Sequence, residues 1–235
     1  MKLCKLSRLH VNLMQTLHGY EKFHKGQEAD SLITQAKMRK IVREIADTDK
    51  RFATVIEKSE LCDIGTTNPE RSHFESLVSS VISQQLATAA AQTIKQRFAL
   101  ECGKVTPKNV AKMELDQLRA AGLSGAKAKT IQGLAAAALD KSVDFKNLHE
   151  QDDEDVYQGL TKLWGIGPWT VDMFMMFQLG RLDIWPTGDL GVRRGWEKSH
   201  NLKEEITPEA LQKKGEKFRP HRSVVAWYCW RALEF

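Results

Sequence analysis

The sequence lacks several features that define common protein classes. Its apolar runs, such as residues 134–139 and 173–177, are far shorter than the ~20 residues that a transmembrane helix needs. Three polar residues near the basic N-terminus, His10, Asn12 and Gln15, interrupt any secretory apolar segment. With 42% apolar and 28% charged residues, the composition differs from that of disordered and collagen-like chains. We therefore expect a soluble, intracellular, globular protein.

Cysteine is also scarce, with four residues in a chain of 235. Cys4, Cys62, Cys102 and Cys229 are too far apart in the sequence for any pair to form the CxxC half of a metal site. Four cysteines are too few for a disulfide scaffold in a chain of this length. We expect free thiols in a reducing compartment.

Basic residues are concentrated near the N-terminus. Lys and Arg number 35 against 30 Asp and Glu, which gives a formal net charge of +5. Residues 1–40 contain eight of the basic and three of the acidic residues, so the rest of the chain is balanced. We expect a loosely ordered basic arm over residues 1–35, which can form a short helix at 8–17. The charge balance permits nucleic-acid binding without requiring it.

The periodicity of apolar residues predicts an all-α fold. No sustained alternation of apolar and polar residues marks a strand, whereas spacings of three and four residues recur, as in residues 74–82. One helix is expected to be capped by Asp30 or Ser31 and to carry Leu32 and Ile33. Further helices are predicted at residues 49–58, 71–84, 87–100, 107–122, 126–139, 154–163 and 169–179, with another from about residue 190.

The most informative segment lies between two of these predicted helices. Gly165 and Gly167 flank Ile166, and Pro168 follows at a position suited to the first turn of a helix. The exposed amides of such a helix N-terminus can bind a phosphate. Two other interpretations are a tight turn with no ligand and a dinucleotide-binding loop. The dinucleotide loop is disfavoured because a predicted helix precedes it and Thr170 occupies its last position.

A second informative residue is Asp189, which follows Pro186 and Gly188 and precedes a predicted helix. An Asp in this position is most often an N-cap. A capping carboxylate is also fixed in direction, so this interpretation is compatible with a catalytic role.

Several segments in order resemble the helix-hairpin-helix DNA glycosylase superfamily. The hairpin at residues 163–171 is followed by Asp189, which lies 22 residues after Gly167. The resemblance extends to the Ser-Gln-Gln-Leu-Ala segment at 83–87 and to the Arg-Pro-His-Arg-Ser segment at 219–223. Within the superfamily, the chain is most similar to the 3-methyladenine-DNA glycosylase II branch, in a compact form without an N-terminal sheet domain.

This resemblance implies an all-α architecture of two helical lobes with a central cleft and a helix-hairpin-helix motif at about residues 154–180. One lobe would consist of residues 36–69 and 187–235. The other would consist of residues 70–186 and contain the hairpin.

The resemblance implies a monofunctional glycosylase that flips alkylated purines, such as 3-methyladenine, out of duplex DNA and releases them by hydrolysis in base excision repair. Asp189 would stabilise positive charge on the sugar. The implied base pocket comprises Trp169, Met173 and His221. The implied wedge, which fills the gap left by the flipped base, comprises Leu86 and Ala87.

The resemblance also implies contacts with the DNA backbone. Phosphate binding is assigned to Gly165, Ile166, Gly167 and Arg222. The backbone carbonyls of Thr161, Leu163 and Ile166 would hold a monovalent cation, Na⁺ or K⁺. No other cofactor is expected.

Two departures from the superfamily pattern affect the expected chemistry. Strand-cleaving relatives carry a lysine nucleophile where this chain has Trp169, and an indole cannot replace it, so no lyase activity is expected. Relatives with an iron–sulfur cluster use four C-terminal cysteines, whereas this chain has only Cys229 in that region. We therefore expect no cluster.

The expected partner is double-stranded DNA that contains alkylated bases, and the protein is expected to act as a monomer with no membrane association. Its location would be cytoplasmic and nucleoid-associated in a prokaryote, or nuclear in a eukaryote. The main alternative is a non-catalytic helix-hairpin-helix DNA-binding protein, which would need neither Asp189 nor a base pocket. A metabolic nucleotide-binding enzyme is a more distant alternative.

Overall fold

The structure is a computed structural model that describes residues 32–67 and 69–235. Cys4, the predicted helix at 8–17 and most of the predicted basic arm lie outside the described residues.

The described residues form twelve α-helices and no β-strand, so the predicted all-α fold is confirmed. Short 3₁₀ turns at Lys50–Phe52 and Glu216–Phe218 complete the regular structure. The helices are α1 Gln35–Thr48, α2 Ala53–Lys58, α3 His73–Ser83, α4 Thr88–Cys102, α5 Pro107–Val110, α6 Leu115–Ala120, α7 Gly125–Leu139, α8 Asp153–Thr161, α9 Pro168–Phe177, α10 Leu190–Ser199, α11 Pro208–Gly215 and α12 Arg222–Ala232.

Two of the predicted helices differ from those observed. The first begins at Gln35 rather than before Leu32, because the hydroxyl of Thr34 accepts the Lys37 N–H and caps it there. The segment predicted as one helix over 107–122 is two short helices, α5 and α6. In the described part of the chain, no helix is both long and apolar enough to span a membrane.

The chain divides into two compact units at residues 68–69 and 179–180. The central unit is Pro69–Leu179 and contains α3 to α9. The described part of the terminal unit is residues 32–67 with Gly180–Phe235, and it contains α1, α2 and α10 to α12. Residues 180–186, which the sequence analysis places with the hairpin, thus pack in the terminal unit.

Helix α3 is the main core element of the central unit, and it packs against α4, α7 and α9. One face of α3 is buried to 3% exposure or less, at Phe74, Leu77, Val78, Val81 and Ile82. These are the residues whose helical spacing predicts an apolar stripe. Their burial fixes the end of α3, from which the predicted wedge segment leaves.

In the terminal unit, α10 lies directly against α12. Gly195 makes this possible, because a Cβ atom there would lie 1.8 Å from the carbonyl oxygen of Cys229. A Cβ at Gly191, one turn earlier, would lie 2.8 Å from Cδ1 of Trp230. The two glycines, four residues apart on one helix face, therefore let the two helices approach closely.

We predict that Gly195→Ala lowers the free energy of unfolding by about 1–3 kcal/mol, since the new methyl group overlaps the α12 backbone. Gly133→Ala is the matched control, because a Cβ at this exposed position in α7 meets nothing within 4 Å. Alanine there should stabilise by up to about 1 kcal/mol through helix propensity. Urea unfolding of both variants tests the difference, and equal effects would show that the glycine contact is unimportant.

Candidate functional site

Asp189 is buried, at 2% exposure, and caps the N-terminus of α10. Its Oδ1 atom accepts the backbone N–H of Val192 at 2.8 Å. The same oxygen accepts the indole N–H of Trp230, on α12, at 2.9 Å. The N-cap interpretation is thus confirmed, and the second donor is a residue that the sequence analysis missed. Donors on two helices hold the carboxylate in one direction.

The segment that leads to Asp189 is held by the start of α12. The hydroxyl of Ser223 accepts the Ile184 N–H at 2.8 Å and donates to the Arg181 carbonyl at 2.7 Å. A few residues further along, the Trp185 indole donates to the Leu211 carbonyl at 3.0 Å. These contacts therefore hold the segment immediately before the turn that carries Asp189.

Arg222 also helps to hold the segment that leads to Asp189. It is 7% exposed, and its Nε and Nη2 donate to the two carboxylate oxygens of Asp183 at 2.7 and 2.9 Å. Nη1 also contacts Glu216 at 3.3 Å. A buried guanidinium neutralised by two carboxylates is poorly placed to bind a phosphate, so the structure favours a structural role over the predicted phosphate contact.

His221 precedes α12 in the terminal unit and is half-buried. Burial lowers the pKa of its imidazole, and the nearby charges of Glu44 and Asp183 oppose this effect while Lys37 adds to it. The net shift is downward, so the ring is neutral at neutral pH.

In the central unit, the hairpin turn depends on Gly165. Its φ of +82° lies in the left-handed region, and a Cβ would be 2.0 Å from Oγ1 of Thr130 on α7. Glycine is therefore required both for conformation and for packing. The Ile166 side chain, at 4% exposure, anchors the turn in the core.

The two glycines of the turn differ in what surrounds them. Gly167 has an ordinary φ of −95° and is the N-cap of α9 without a side-chain capping bond. A Cβ there would meet nothing within 4 Å, so its surroundings are open. The Ile166 amide donates to the Leu163 carbonyl at 3.1 Å, which argues against the predicted phosphate contact of that amide. In the described chain, no backbone carbonyl accepts from the amides of Gly165 and Gly167.

The predicted wedge residues lie in a turn that begins where α3 ends. Gln85 adopts a positive φ of 56°, and the amide of Leu86 donates to the Ser83 carbonyl at 3.2 Å. Leu86 is half-buried and Ala87 is exposed. The positive φ at Gln85 turns the chain sharply, so the two apolar residues follow a tight bend.

Gln84 joins this bend to the hairpin. Its side-chain amide donates to the Gly165 carbonyl at 3.3 Å and to the Thr170 hydroxyl at 3.2 Å. Lys127 holds the bend from α7, donating from Nζ to the carbonyls of Ile82 at 2.8 Å and Gln84 at 2.7 Å. The central unit thus brings the predicted wedge and the hairpin turn together.

Trp169 and Met173, the remaining predicted pocket residues, are one turn apart on α9. Trp169 is half-exposed, whereas Met173 is 6% exposed. Trp169 is therefore the more accessible of the two.

A tryptophan is more often a core residue than a binding residue, so the sequence predicts that Trp164, Trp185 and Trp227 are buried. The structure corrects this prediction for Trp164. Trp185 and Trp227 are buried as expected, at 8% and 3% exposure, whereas Trp164 is 54% exposed. It lies in the hairpin turn immediately before Gly165, and Nζ of Lys129 lies 4.6 Å from the centre of its ring.

We predict that alanine substitutions at the two glycines of the hairpin turn have different effects on stability. Gly165→Ala should lower the free energy of unfolding by about 2 kcal/mol or more, because it adds both left-handed strain and a contact with Thr130. Gly167→Ala should change the free energy by less than about 0.5 kcal/mol. Thermal unfolding of both variants provides the measurement.

Adding Thr130→Ala to Gly165→Ala should recover part of the lost stability by removing the contacting hydroxyl. If Gly165→Ala and Gly167→Ala unfold alike, the turn does not have the described conformation.

Comparison with known proteins relates this arrangement to a family. The sequence profile of the HhH-GPD superfamily base excision DNA repair proteins matches residues 78–221. The matched stretch is more than half of the chain and includes the hairpin turn and Asp189.

Two fission yeast proteins, from Schizosaccharomyces pombe, are among the similar sequences. "Alkylbase DNA glycosidase-like protein mag2" is 28% identical over 194 residues, which cover 80% of this chain and 91% of that protein. "DNA-3-methyladenine glycosylase 1" is 33% identical over 177 residues, which cover 72% of this chain and 78% of that protein.

Solved structures show the same similarity. The crystal structure of a DNA-3-methyladenine glycosidase from Bacillus halodurans has a TM-score of 0.73 at 32% identity, with 82% of this chain and 88% of that chain covered. The Schizosaccharomyces pombe 3-methyladenine DNA glycosylase Mag1, in complex with abasic DNA, has a TM-score of 0.72 at 27% identity. That comparison covers 83% of this chain and 97% of the Mag1 chain.

Proposed function

Because the chain belongs to the HhH-GPD superfamily of base excision DNA repair proteins, we propose that it is a monofunctional DNA glycosylase that releases alkylated purines from duplex DNA by hydrolysis. The observation that carries this proposal is the buried Asp189 oxygen, which is held by donors on α10 and α12. The names of its relatives, among them DNA-3-methyladenine glycosylases, support the same substrate class.

The proposed role of Asp189 follows from the charge that develops during the reaction. As the N-glycosidic bond breaks, the purine leaves with the bonding electron pair and the sugar becomes positively charged. A fixed carboxylate stabilises this charge without reorganising. Water then adds to C1′ and loses a proton, which completes the hydrolysis. An alkylated purine loses its formal charge as it departs, so a strong general acid is unnecessary.

Base recognition is assigned to Trp169, with Met173 and His221 as further pocket residues. An indole face attracts a cationic purine through its quadrupole. His221 supports this assignment because burial lowers its pKa. A neutral imidazole does not repel a cationic base, whereas a protonated one would.

The central unit supplies the proposed contacts with the DNA strand. The amides of Gly165 and Gly167, at the N-terminus of α9, would bind a phosphate. Leu86 and Ala87 would enter the space vacated by the flipped base, which offsets part of the unstacking free energy. Gln84 would hold the phosphate site and the wedge at a fixed distance from each other, because it lies in the wedge bend and its side chain hydrogen-bonds the hairpin.

A monovalent cation at the carbonyls of Thr161, Leu163 and Ile166 would strengthen the phosphate site. The Leu163 carbonyl accepts the Ile166 amide, and its second lone pair is compatible with a cation. The carbonyl donors suit a hard cation such as Na⁺ or K⁺. The ion would add positive charge beside the phosphate, while the chain's own amides would orient it.

We predict that Asp189→Asn retains the fold and DNA binding but releases base more slowly by a factor on the order of 10²–10³. Asparagine can still accept the Val192 and Trp230 hydrogen bonds through its carbonyl oxygen, so these two bonds persist while the negative charge is lost. Asp152→Asn is the matched control, since Asp152 caps α8 through the Asp155 N–H at 2.9 Å in the same manner. It should release base at the wild-type rate.

The measurement is single-turnover release of free base from methylated duplex DNA, with the products identified by chromatography. An Asp189→Asn variant that works at the wild-type rate would refute the catalytic assignment. A wild-type protein that binds the duplex but releases no base would support the non-catalytic DNA-binding alternative.

We further propose that the enzyme does not cleave the DNA strand, because Trp169 stands where a lyase would need an amine nucleophile. Borohydride added during incubation with abasic duplex should therefore trap no covalent protein–DNA adduct. A strand-cleaving glycosylase treated in parallel should give an adduct and so verify the assay. A trapped adduct of this protein would contradict the monofunctional assignment.

A further inference from the structure

Trp164 is an exposed tryptophan for which the proposed chemistry has no use. At 54% exposure it contrasts with the buried side chains of Trp185, Trp196, Trp227 and Trp230, none of which exceeds 8%. Exposed indole surface of this size is unfavourable in water. Its location in the hairpin turn, directly before Gly165, connects it with the proposed DNA-binding region.

Lys129 accompanies this indole. Its Nζ lies 4.6 Å from the ring centre, within the range of a cation–π contact. Lys129 is exposed, and within the described chain no carboxylate pairs with it. Lys127, two residues earlier on α7, differs because its ammonium bonds two backbone carbonyls. Lys129 therefore keeps its charge available to an external anion.

The position of this pair relative to the hairpin is fixed by the neighbour of Lys129. Thr130 is 4% exposed and fills the space beside Gly165, where a Cβ would lie 2.0 Å from its hydroxyl. Trp164 precedes Gly165 and Lys129 precedes Thr130, so each is one residue from this contact. Consecutive Cα atoms are about 3.8 Å apart. A ligand at the Gly165 amide would lie within reach of both.

We propose that Trp164 and Lys129 form a second contact with the DNA backbone, next to the phosphate held by the hairpin amides. The inference rests on the proposed function and adds a binding element to it. The indole would pack on the apolar face of a deoxyribose, and the ammonium would pair with the adjoining phosphate. Sugars and phosphates alternate along a DNA strand, so an aromatic ring beside a cation can contact one of each. Such a contact does not depend on the base sequence.

The test measures binding to an undamaged duplex by fluorescence anisotropy at several salt concentrations. Trp164→Ala should weaken binding about tenfold at low salt. Lys129→Gln should weaken binding and reduce the slope of log Kd against log salt by about one, as expected for one lost phosphate contact. Lys129→Arg should restore the wild-type slope.

Two matched controls lie at the other end of α7. Leu139→Ala removes an apolar side chain of similar exposure, 52%, about 15 Å along the helix from Lys129. Lys141→Gln removes one charge just beyond the helix. Both should bind like the wild type.

The possible outcomes separate this inference from the proposed function. Wild-type binding and salt slope in both Trp164→Ala and Lys129→Gln would overturn the backbone contact while leaving the glycosylase intact. Equal weakening by the Leu139 and Lys141 controls would also overturn it, because the effect would then be unspecific. If Trp164→Ala fails to fold, the salt slope of Lys129→Gln still decides. A wild-type protein that neither binds duplex nor releases base would refute the proposed function itself.

Discussion

The carboxylate of Asp189 is held by donors from two helices, and the packing of the terminal unit keeps those helices in contact. One donor belongs to α10, which Asp189 itself caps, and the other is the Trp230 indole on α12. The direction of the carboxylate therefore depends on the spacing between α10 and α12. Gly195 sets that spacing, because any larger residue would overlap the α12 backbone. A buried glycine thus controls the direction of the group assigned to the chemistry.

In the central unit, hydrogen bonds hold the wedge bend against the hairpin turn. The wedge bend and the hairpin turn are separated by about eighty residues of sequence, and in the proposed complex both would contact the same DNA. Gln84 bonds the hairpin directly, and Lys127 holds the bend by its carbonyls. A charged donor to backbone carbonyls at a helix end also interacts favourably with the helix dipole. These polar contacts join two local structures that are distant in the sequence.

Helical spacing in the sequence was enough to predict the all-α fold, because the buried stripe of α3 has the required period. The N-cap role of Asp189 also follows from local sequence, since capping involves only the next three residues. Long-range partners such as Trp230 and Thr130 could not be predicted in this way. One signal was available, however: Gly191 and Gly195 have the four-residue spacing of a helix contact. Trp164 was misassigned because composition alone does not separate a core tryptophan from a binding one.

The distribution of charge indicates how such a protein would bind DNA. Several basic residues that look available in the sequence are engaged within the terminal unit: Arg222 pairs with Asp183, and Arg194 pairs with Glu197. Lys127 is likewise committed to backbone carbonyls. In the described part of the chain, affinity would then depend more on hairpin amides than on a basic surface. Amide contacts are short-ranged and directional, so they position the strand, whereas long-range attraction is weak where charges are balanced. In such an interface a lysine beside the hairpin, such as Lys129, has a large effect on the salt dependence of binding.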